Sequence, residues 1–406
     1  MEKYTGGRQA TRCFADLYGK STLFQLKRYD ELIRAFKRKY KSKFCYLASS
    51  SGRVEIIGNH TDHNGGKVIG CTVDLDIVAA FLPNDNGEVV ISGNNYRDIV
   101  FNLSDIDYKE SGSIGMVKGV LAGLKQRGKN IGGFYACLNT TVPSGAGVSS
   151  SAAFQLLVGA IQNHLYNNGQ LSPQTLAEVG QYAENVYFNK PCGLLDQGVI
   201  AVGGVVEIDF QHGFDAKRLD DNLQNLALVV VDTGKSHSQL TSHYAAIPAD
   251  MKAVAVHFGK DRLVDVDSNL FFNNYRRVVA DVGERAALRA KHFFEENLLV
   301  DQVSQALSAG DKDAIIQAVN KSGDSSISQL QNCSVGNDTT IADAVTYARS
   351  ICKNGASRVH GGGFQGTILV LADKKDASRV ADAMAKKYGK KAVYVLKVRK
   401  LGATVL

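Results

Sequence analysis

Apolar positions along this chain follow two periods, and each marks a kind of element. Leu32, Ile33 and Phe36 fall on one face of residues 30–39, which predicts an amphipathic helix. Residues 53–57 alternate with period two and predict a strand. That strand breaks into a polar turn, Gly58-Asn59-His60-Thr61-Asp62-His63-Asn64-Gly65-Gly66. Beyond Lys67 an apolar run resumes as strand through Val73 and Ile77 to Phe81. Residues 89–92 and 99–103 predict two more strands, and 115–125 a helix. Residues 134–138 alternate again as a half-buried strand, after which Ala152, Ala153, Leu156, Leu157 and Ala160 return to helical spacing. A helical stretch over 171–187 begins after Ser172, with Pro173 in its first turn. Residues 226–231 read as a buried strand, and the region after Ala249 as mostly helical. Near the C-terminus a strand over 367–371, a helix capped by Asp376 and stopped by Gly389, and a strand over 393–398 complete the pattern. There is no internal repeat and no low-complexity linker.

Between the 134–138 strand and the following helix lies Pro143-Ser144-Gly145-Ala146-Gly147-Val148-Ser149-Ser150-Ser151. Glycines let the backbone approach a ligand without a Cβ clash. The N–H groups of the first helical turn then face that ligand, and the helix dipole favours a negative one. The serines add hydroxyls suited to phosphate oxygens or a hard metal ion. The plainer alternative is a helix cap in a Gly-rich turn.

Two further stretches carry candidate chemistry. The 58–66 turn gathers His60, Asp62, His63 and Asn64, which serve either backbone geometry or a ligand. Asp196 stands in apolar surroundings, between Leu195 and Val199-Ile200-Ala201-Val202, as a cap, a core-paired group or an active-site acid or base. Two other motifs fail on their context. Gly234-Lys235-Ser236 lacks the glycine a P-loop needs five positions earlier, where Val229 stands. Gly361-x-Gly363-x-x-Gly366 has dinucleotide spacing but runs into a strand instead of opening a helix. A loop packed closely against the 143–151 segment fits it better.

Composition narrows the classes. The 406 residues suggest two or three domains. The net charge of +7 is concentrated in residues 37–43 and 386–400, without the interleaved aromatics of a nucleic-acid surface. The seven cysteines form no CxxC pair or His/Cys cluster, which argues against structural zinc and a disulfide framework and for a reduced, cytoplasmic setting. No signal peptide shows in residues 1–20. No run of about 18 apolar residues predicts a membrane span.

Three separated signals share one resemblance. The stretch Gly52-Arg53-Val54-Glu55-Ile56-Ile57-Gly58-Asn59-His60-Thr61-Asp62-His63-Asn64-Gly65-Gly66 resembles the galactokinase signature. Residues 143–153 resemble the phosphate loop of the GHMP kinases, the superfamily of galacto-, homoserine, mevalonate and phosphomevalonate kinases, and 361–366 resemble its third motif. Ala183-Glu184-Asn185 and Cys192-Gly193-Leu194-Leu195-Asp196-Gln197 match as well, so the resemblance covers essentially the whole chain.

The resemblance implies an α+β fold of two domains, placed at 1–210 and 211–406, the second ferredoxin-like, with the active site in the cleft. It puts Arg53 and Asp196 at the catalytic pair. Asn59, His60, Asp62, Gly193 and Tyr244 stand at the sugar contacts. Gly145, Ala146, Gly147, Val148, Ser149, Ser150 and Ser151 would hold the nucleotide phosphates, and Ser150 and Glu184 the magnesium. ATP, Mg²⁺ and a monosaccharide, galactose first, are the implied ligands, acting on a monomer. A kinase for N-acetylgalactosamine or arabinose, or a sugar sensor without turnover, are the alternatives. Retention of Arg53, Asp196, Ser150 and Glu184 argues against the sensor. The chain departs from the usual pattern at Asn59 (usually Glu), His63 (Tyr), Glu55 (Asn), His360 (Thr) and Gln365 (Gly), and residues 320–326 lack the common Ser-His pairing.

Overall fold

A computed structural model describes residues 14–19, 23–93, 96–187, 192–220, 222–234, 240–364 and 366–406. Lys235, Ser236 and Gln365 lie outside the described residues. The predicted first helix is α1 (Leu23–Tyr40), which buries Leu32, Ile33 and Phe36 as its periodicity required. The alternation at 53–57 belongs to a longer strand, β1 (Tyr46–Ile57), buried from Leu47 onward. The apolar run after Lys67 is one 17-residue strand, β2 (Lys67–Pro83). Then follow β3 (Glu88–Gly93), β4 (Tyr96–Asn102), α2 (Gly112–Gln126) and β5 (Phe134–Thr140).

Because β2 is so long, its two ends pair differently. Residues 67–71 pair with β6 (Val205–Asp209), whereas 77–83 pair with β5. β1 runs antiparallel along its whole length, and β7 (Asp215–Leu219) adds to β6. Only β3 and β5 pair in parallel among these strands. Behind the sheet lie α3 (Ser150–Tyr166), α4 (Pro173–Tyr182) and α5 (Leu195–Val202). The helix predicted over 171–187 ends at Tyr182 and continues as one π-helical turn, Ala183–Tyr187. Ser172 caps α4 by accepting from the Thr175 N–H.

The second sheet holds β8 (Leu226–Asp232), β9 (Ala356–His360), β10 (Thr367–Asp373) and β11 (Val393–Leu396) in the order β11-β8-β10-β9, all antiparallel. This is the ferredoxin-like arrangement. Its first crossover is enlarged into α6 (Thr241–His257), α7 (Ser268–Asn273), α8 (Tyr275–Val282), α9 (Glu284–Ala309), α10 (Lys312–Ser325) and α11 (Thr340–Ile351). α11 and α12 (Ala377–Tyr388) cover one face through Ala344, Val345, Val380 and Met384. The other face joins the main core through Leu228, Val230, Leu369 and Leu371, with Val300, Val303 and Val319 from α9 and α10. The strand expected over 393–398 stops at Leu396, and the Asp376 side chain makes no cap hydrogen bond. No described helix is long and apolar enough to cross a membrane.

After β11 the chain returns to the first sheet, where β12 (Thr404–Val405) pairs with Ala48 and Ser49 of β1. On the way it buries Arg399, which meets Arg28 of α1 across Asp76 of β2. Asp76 also accepts from the hydroxyls of Tyr18 and Ser49. Burial alone would raise its pKa, but the two guanidinium groups and these donors hold it below the ordinary aspartate value. Asp76→Asn should therefore destabilise the protein by about 3–5 kcal/mol in urea unfolding, because two buried guanidinium groups lose their counter-charge. That contribution should be complete above the unfolded-state aspartate pKa and disappear only as pH falls through the lowered native value.

Candidate active site

The Gly/Ser loop is shaped by what packs against it. Gly147 has φ 74°, and a Cβ there would stand 2.2 Å from Thr367 Oγ1, at the start of β10. The strand that follows the third glycine-rich loop thus packs against the Gly/Ser loop, whereas the loop itself meets the 58–66 turn through the Gly361 and Gly362 carbonyls. From the other side the Arg53 N–H donates to the Val148 carbonyl at 3.2 Å.

The Arg53 side chain is 5% exposed and bridges two segments. Its Nη1 donates to Gly147 O at 2.6 Å, and its Nε and Nη2 grip Asp196 Oδ1 and Oδ2 at 2.7 and 2.8 Å. Such a fork fixes geometry as well as charge. Asp196 lies in the first turn of α5, and Ser149 Oγ also donates to its Oδ2. α5 is preceded by Gly193, where a Cβ would come within 1.6 Å of Asp62 Oδ2. Only glycine lets the turn and the helix meet there. Asp62 accepts from the His63 and Leu195 N–H groups at 3.0 and 3.4 Å. Burial, with lesser pushes from Glu55 and Asp196, raises its pKa to about 6 against these bonds.

His60 (φ 59°) donates from Nε2 to Gly362 O at 2.9 Å, which leaves Nδ1 to accept from His63 Nε2 at 3.3 Å. His63 Nδ1 in turn accepts from Asn64 Nδ2 at 3.0 Å. All three bonds are satisfied with neutral rings, and burial lowers the pKa values of His60 and His63 to about 4 and about 3. Tyr244 donates to Gly363 O at 2.9 Å and packs edge-on to Phe364, and burial raises its phenol to about 12.

Asn59 is 1% exposed, and its amide is engaged by the protein itself. Nδ2 donates to Glu55 Oε1 at 2.9 Å and to Gly361 O at 2.8 Å, and Oδ1 accepts from Asn332 Nδ2 at 2.8 Å. Glu55 is paired with the fully buried Arg358 at 2.9 Å. The resemblance puts Asn at 55 and Glu at 59, so this chain carries the two in exchanged order. The backbone of the turn is held from α9, where Glu296 Oε1 accepts from the Gly58 and Asn59 N–H groups and His292 Nε2 donates to Asn59 O.

Ser150 opens α3, and Glu184 lies in the π-helical turn, where it accepts from Gln155 of α3 at 3.1 Å. The hydroxyl at the helix start and the buried carboxylate that packs further along the same helix, at Gln155, are both hard oxygen donors of the kind that suits Mg²⁺. Among the described residues no group of three His, Cys, Asp or Glu side chains gathers to hold a metal, so phosphate and water would complete such a shell. Beside Ser144, Ser150 and Ser151 opens a cavity of about 250 Å³, walled by Ile77, Ile91, Ile99, Met116 and Phe154.

Comparison with known proteins matches the galactokinase galactose-binding signature at residues 34–83, the GHMP kinase N-terminal domain at 115–204 and the GHMP kinase C-terminal domain at 303–391. The chain belongs to the GHMP kinases. It is a galactokinase-like sugar kinase of that superfamily. Its fold is similar to that of a Lactococcus lactis galactokinase solved with galactose, at TM-score 0.82 and 24% identity, covering 93% of this chain and 100% of the other. It is also similar to a Methanococcus jannaschii mevalonate kinase, at TM-score 0.63 and 14% identity over 88% and 99% of the two chains.

The GHMP kinase fold thus gathers Arg53, Asp62, Ser149, Gly193 and Asp196 around one point. Arg358, Asn332, His292 and Glu296 also shape the site and carry no motif of their own, while Glu55, a departure from the usual Asn, proves to be the partner shared by Asn59 and Arg358. Because Glu55 and Asn59 act as a pair, Asn59→Glu alone should destabilise by about 1–3 kcal/mol, setting acceptor against acceptor. Glu55→Asn alone, which strands Arg358, should cost about 3–5 kcal/mol. In denaturant unfolding the double variant should exceed the sum of the singles by about 1–3 kcal/mol in stability.

Proposed function

We propose that this GHMP kinase transfers the γ-phosphoryl group of ATP to the anomeric hydroxyl of a monosaccharide, galactose first. The observation that carries the reading is the Arg53–Asp196 fork, held between the Gly/Ser loop and the sugar-signature turn. Phosphoryl transfer asks mainly for positioning and charge neutralisation. Asp196 would accept the proton of the attacking hydroxyl. Arg53 would keep that carboxylate ionised and counter charge on the transferring group. The backbone N–H groups at the start of α3 would cradle the phosphates, and the apolar cavity beside Ser150 and Ser151 has room for the base. Mg²⁺, held by Ser150 and Glu184, would neutralise phosphate charge. Asp62 would orient the sugar by accepting from its hydroxyls, with the His60 ring, bonded to Gly362 O and His63, as a fixed wall of the same turn.

A related sugar is the second reading. It is favoured by Asn59, whose polar atoms bond Glu55, Gly361 and Asn332 and so offer less to a hydroxyl than a carboxylate there. Sugar-dependent ADP release across a panel of galactose, N-acetylgalactosamine and arabinose separates the two readings, and absence of turnover with every sugar would favour a sensor. Asp196→Ala should lower that turnover by roughly 10²–10⁴-fold with ATP binding retained, and a loss within about tenfold would remove Asp196 as proton acceptor. The raised pKa of Asp62 adds a pH dependence. As pH falls through about 6 its carboxylate becomes protonated and loses its charge as an acceptor. KM for the sugar should therefore rise over that window in the wild type and stay level in Asp62→Asn.

A further inference from the structure

Ser149 holds a backbone conformation that its place in the loop does not explain. It is a non-glycine residue in the left-handed region, with φ 59° and ψ 57°, immediately before α3. Side chains at that position usually accept from an N–H of the first helical turn. The Ser149 side chain makes no such cap bond. Its hydroxyl instead donates to Asp196 Oδ2, the oxygen that also accepts from Arg53 Nη2 at 2.8 Å. Glycine would adopt this conformation with less strain, and the loop already uses it at 145 and 147. The strained serine brings one thing glycine lacks, the hydroxyl.

We propose that Ser149 is a positioning residue for Asp196, acting through its hydroxyl. This rests on Asp196 serving as the proton acceptor of the proposed reaction. The last torsion of an aspartate side chain is broad and leaves its carboxylate free to turn. The Arg53 fork fixes one edge of that carboxylate. The Ser149 hydroxyl, on a different segment, supplies a third donor and stops the group from swinging with the arginine. The same serine fixes where α3 begins, so the helix N-terminus offered to the phosphates and the carboxylate offered to the sugar are set in register by one residue.

The test compares Ser149→Ala, which keeps the strain and loses the hydroxyl, with Ser149→Gly, which relieves the strain and loses the hydroxyl. Both should lower kcat by roughly tenfold to a hundredfold, as a small misplacement of a reacting group does, with KM for ATP within about twofold of wild type. Ser149→Gly should melt no lower than Ser149→Ala yet be no faster. In an Asp196→Asn background, removing the hydroxyl should change the residual rate little. A Ser149→Gly enzyme with wild-type kcat would overturn the proposal and assign Ser149 to backbone geometry. Raised KM for ATP with unchanged kcat would overturn it in favour of a phosphate ligand. Near-normal turnover by Asp196→Ala is a separate failure, because it removes the acceptor itself and not its positioning.

Discussion

At two glycines of this protein a neighbouring side chain packs so closely that a Cβ would not fit, and the geometry of the candidate site depends on both. The Gly/Ser loop touches Thr367 at Gly147, and the segment before α5 touches Asp62 at Gly193. Each contact brings together parts of the chain that share no sheet neighbour. Arg53 can then reach the loop carbonyl and Asp196 at once. A methyl group at either glycine would collide with the Thr367 or Asp62 side chain, and one of the two would have to move. Steric permission comes first here, and the electrostatics of the site follow from it.

Besides the apolar core they share, the two halves are joined by buried polar groups. The sugar-signature turn is held by Glu296 and His292 from α9, by Asn332, and by Arg358 and the Gly361 and Gly362 carbonyls around the third loop. Such a network is worth little over apolar packing in stability and much in uniqueness of arrangement. Exchange of the carboxylate between positions 59 and 55 shows how it can change without collapse. The negative charge is kept beside Arg358, while the turn gives up a charged acceptor. The residues that hold the sugar-signature turn are therefore also residues through which the two halves pack.

The long elements were legible because their apolar periods are long. α1, β2, α3 and β8 all appear where spacing placed them. The strands that escaped notice have physical reasons to do so. β7, Asp215-Ala-Lys-Arg-Leu219, is mostly exposed and has no apolar face to betray it. β9 is fully buried yet reads Ala-Ser-Arg-Val-His, because Arg358 and His360 find partners in β1 some 300 residues away in sequence. α5 is only eight residues long and too short for a period to show. In the site, the glycines, Asp62, Arg53 and Asp196 could be named from their motifs. Their partners could not, since each is supplied by a distant element. The Ser149 hydroxyl was assigned to phosphates with the rest of its loop, and only the left-handed turn reveals its bond to Asp196.

The return of the chain to its first sheet bears on how the molecule is built during translation. Arg28 is made 48 residues before Asp76, but the second guanidinium, Arg399, is made 323 residues after it. The edge of β1 that β12 covers stays open for the same interval. A nascent chain folding from its N-terminus can therefore collapse its first half but not close it. Closure waits for the ferredoxin-like half to emerge and for its tail to be laid back across the first sheet. Residues 399–405 thus act as a latch across the first sheet, and the fold locks only when both halves are present.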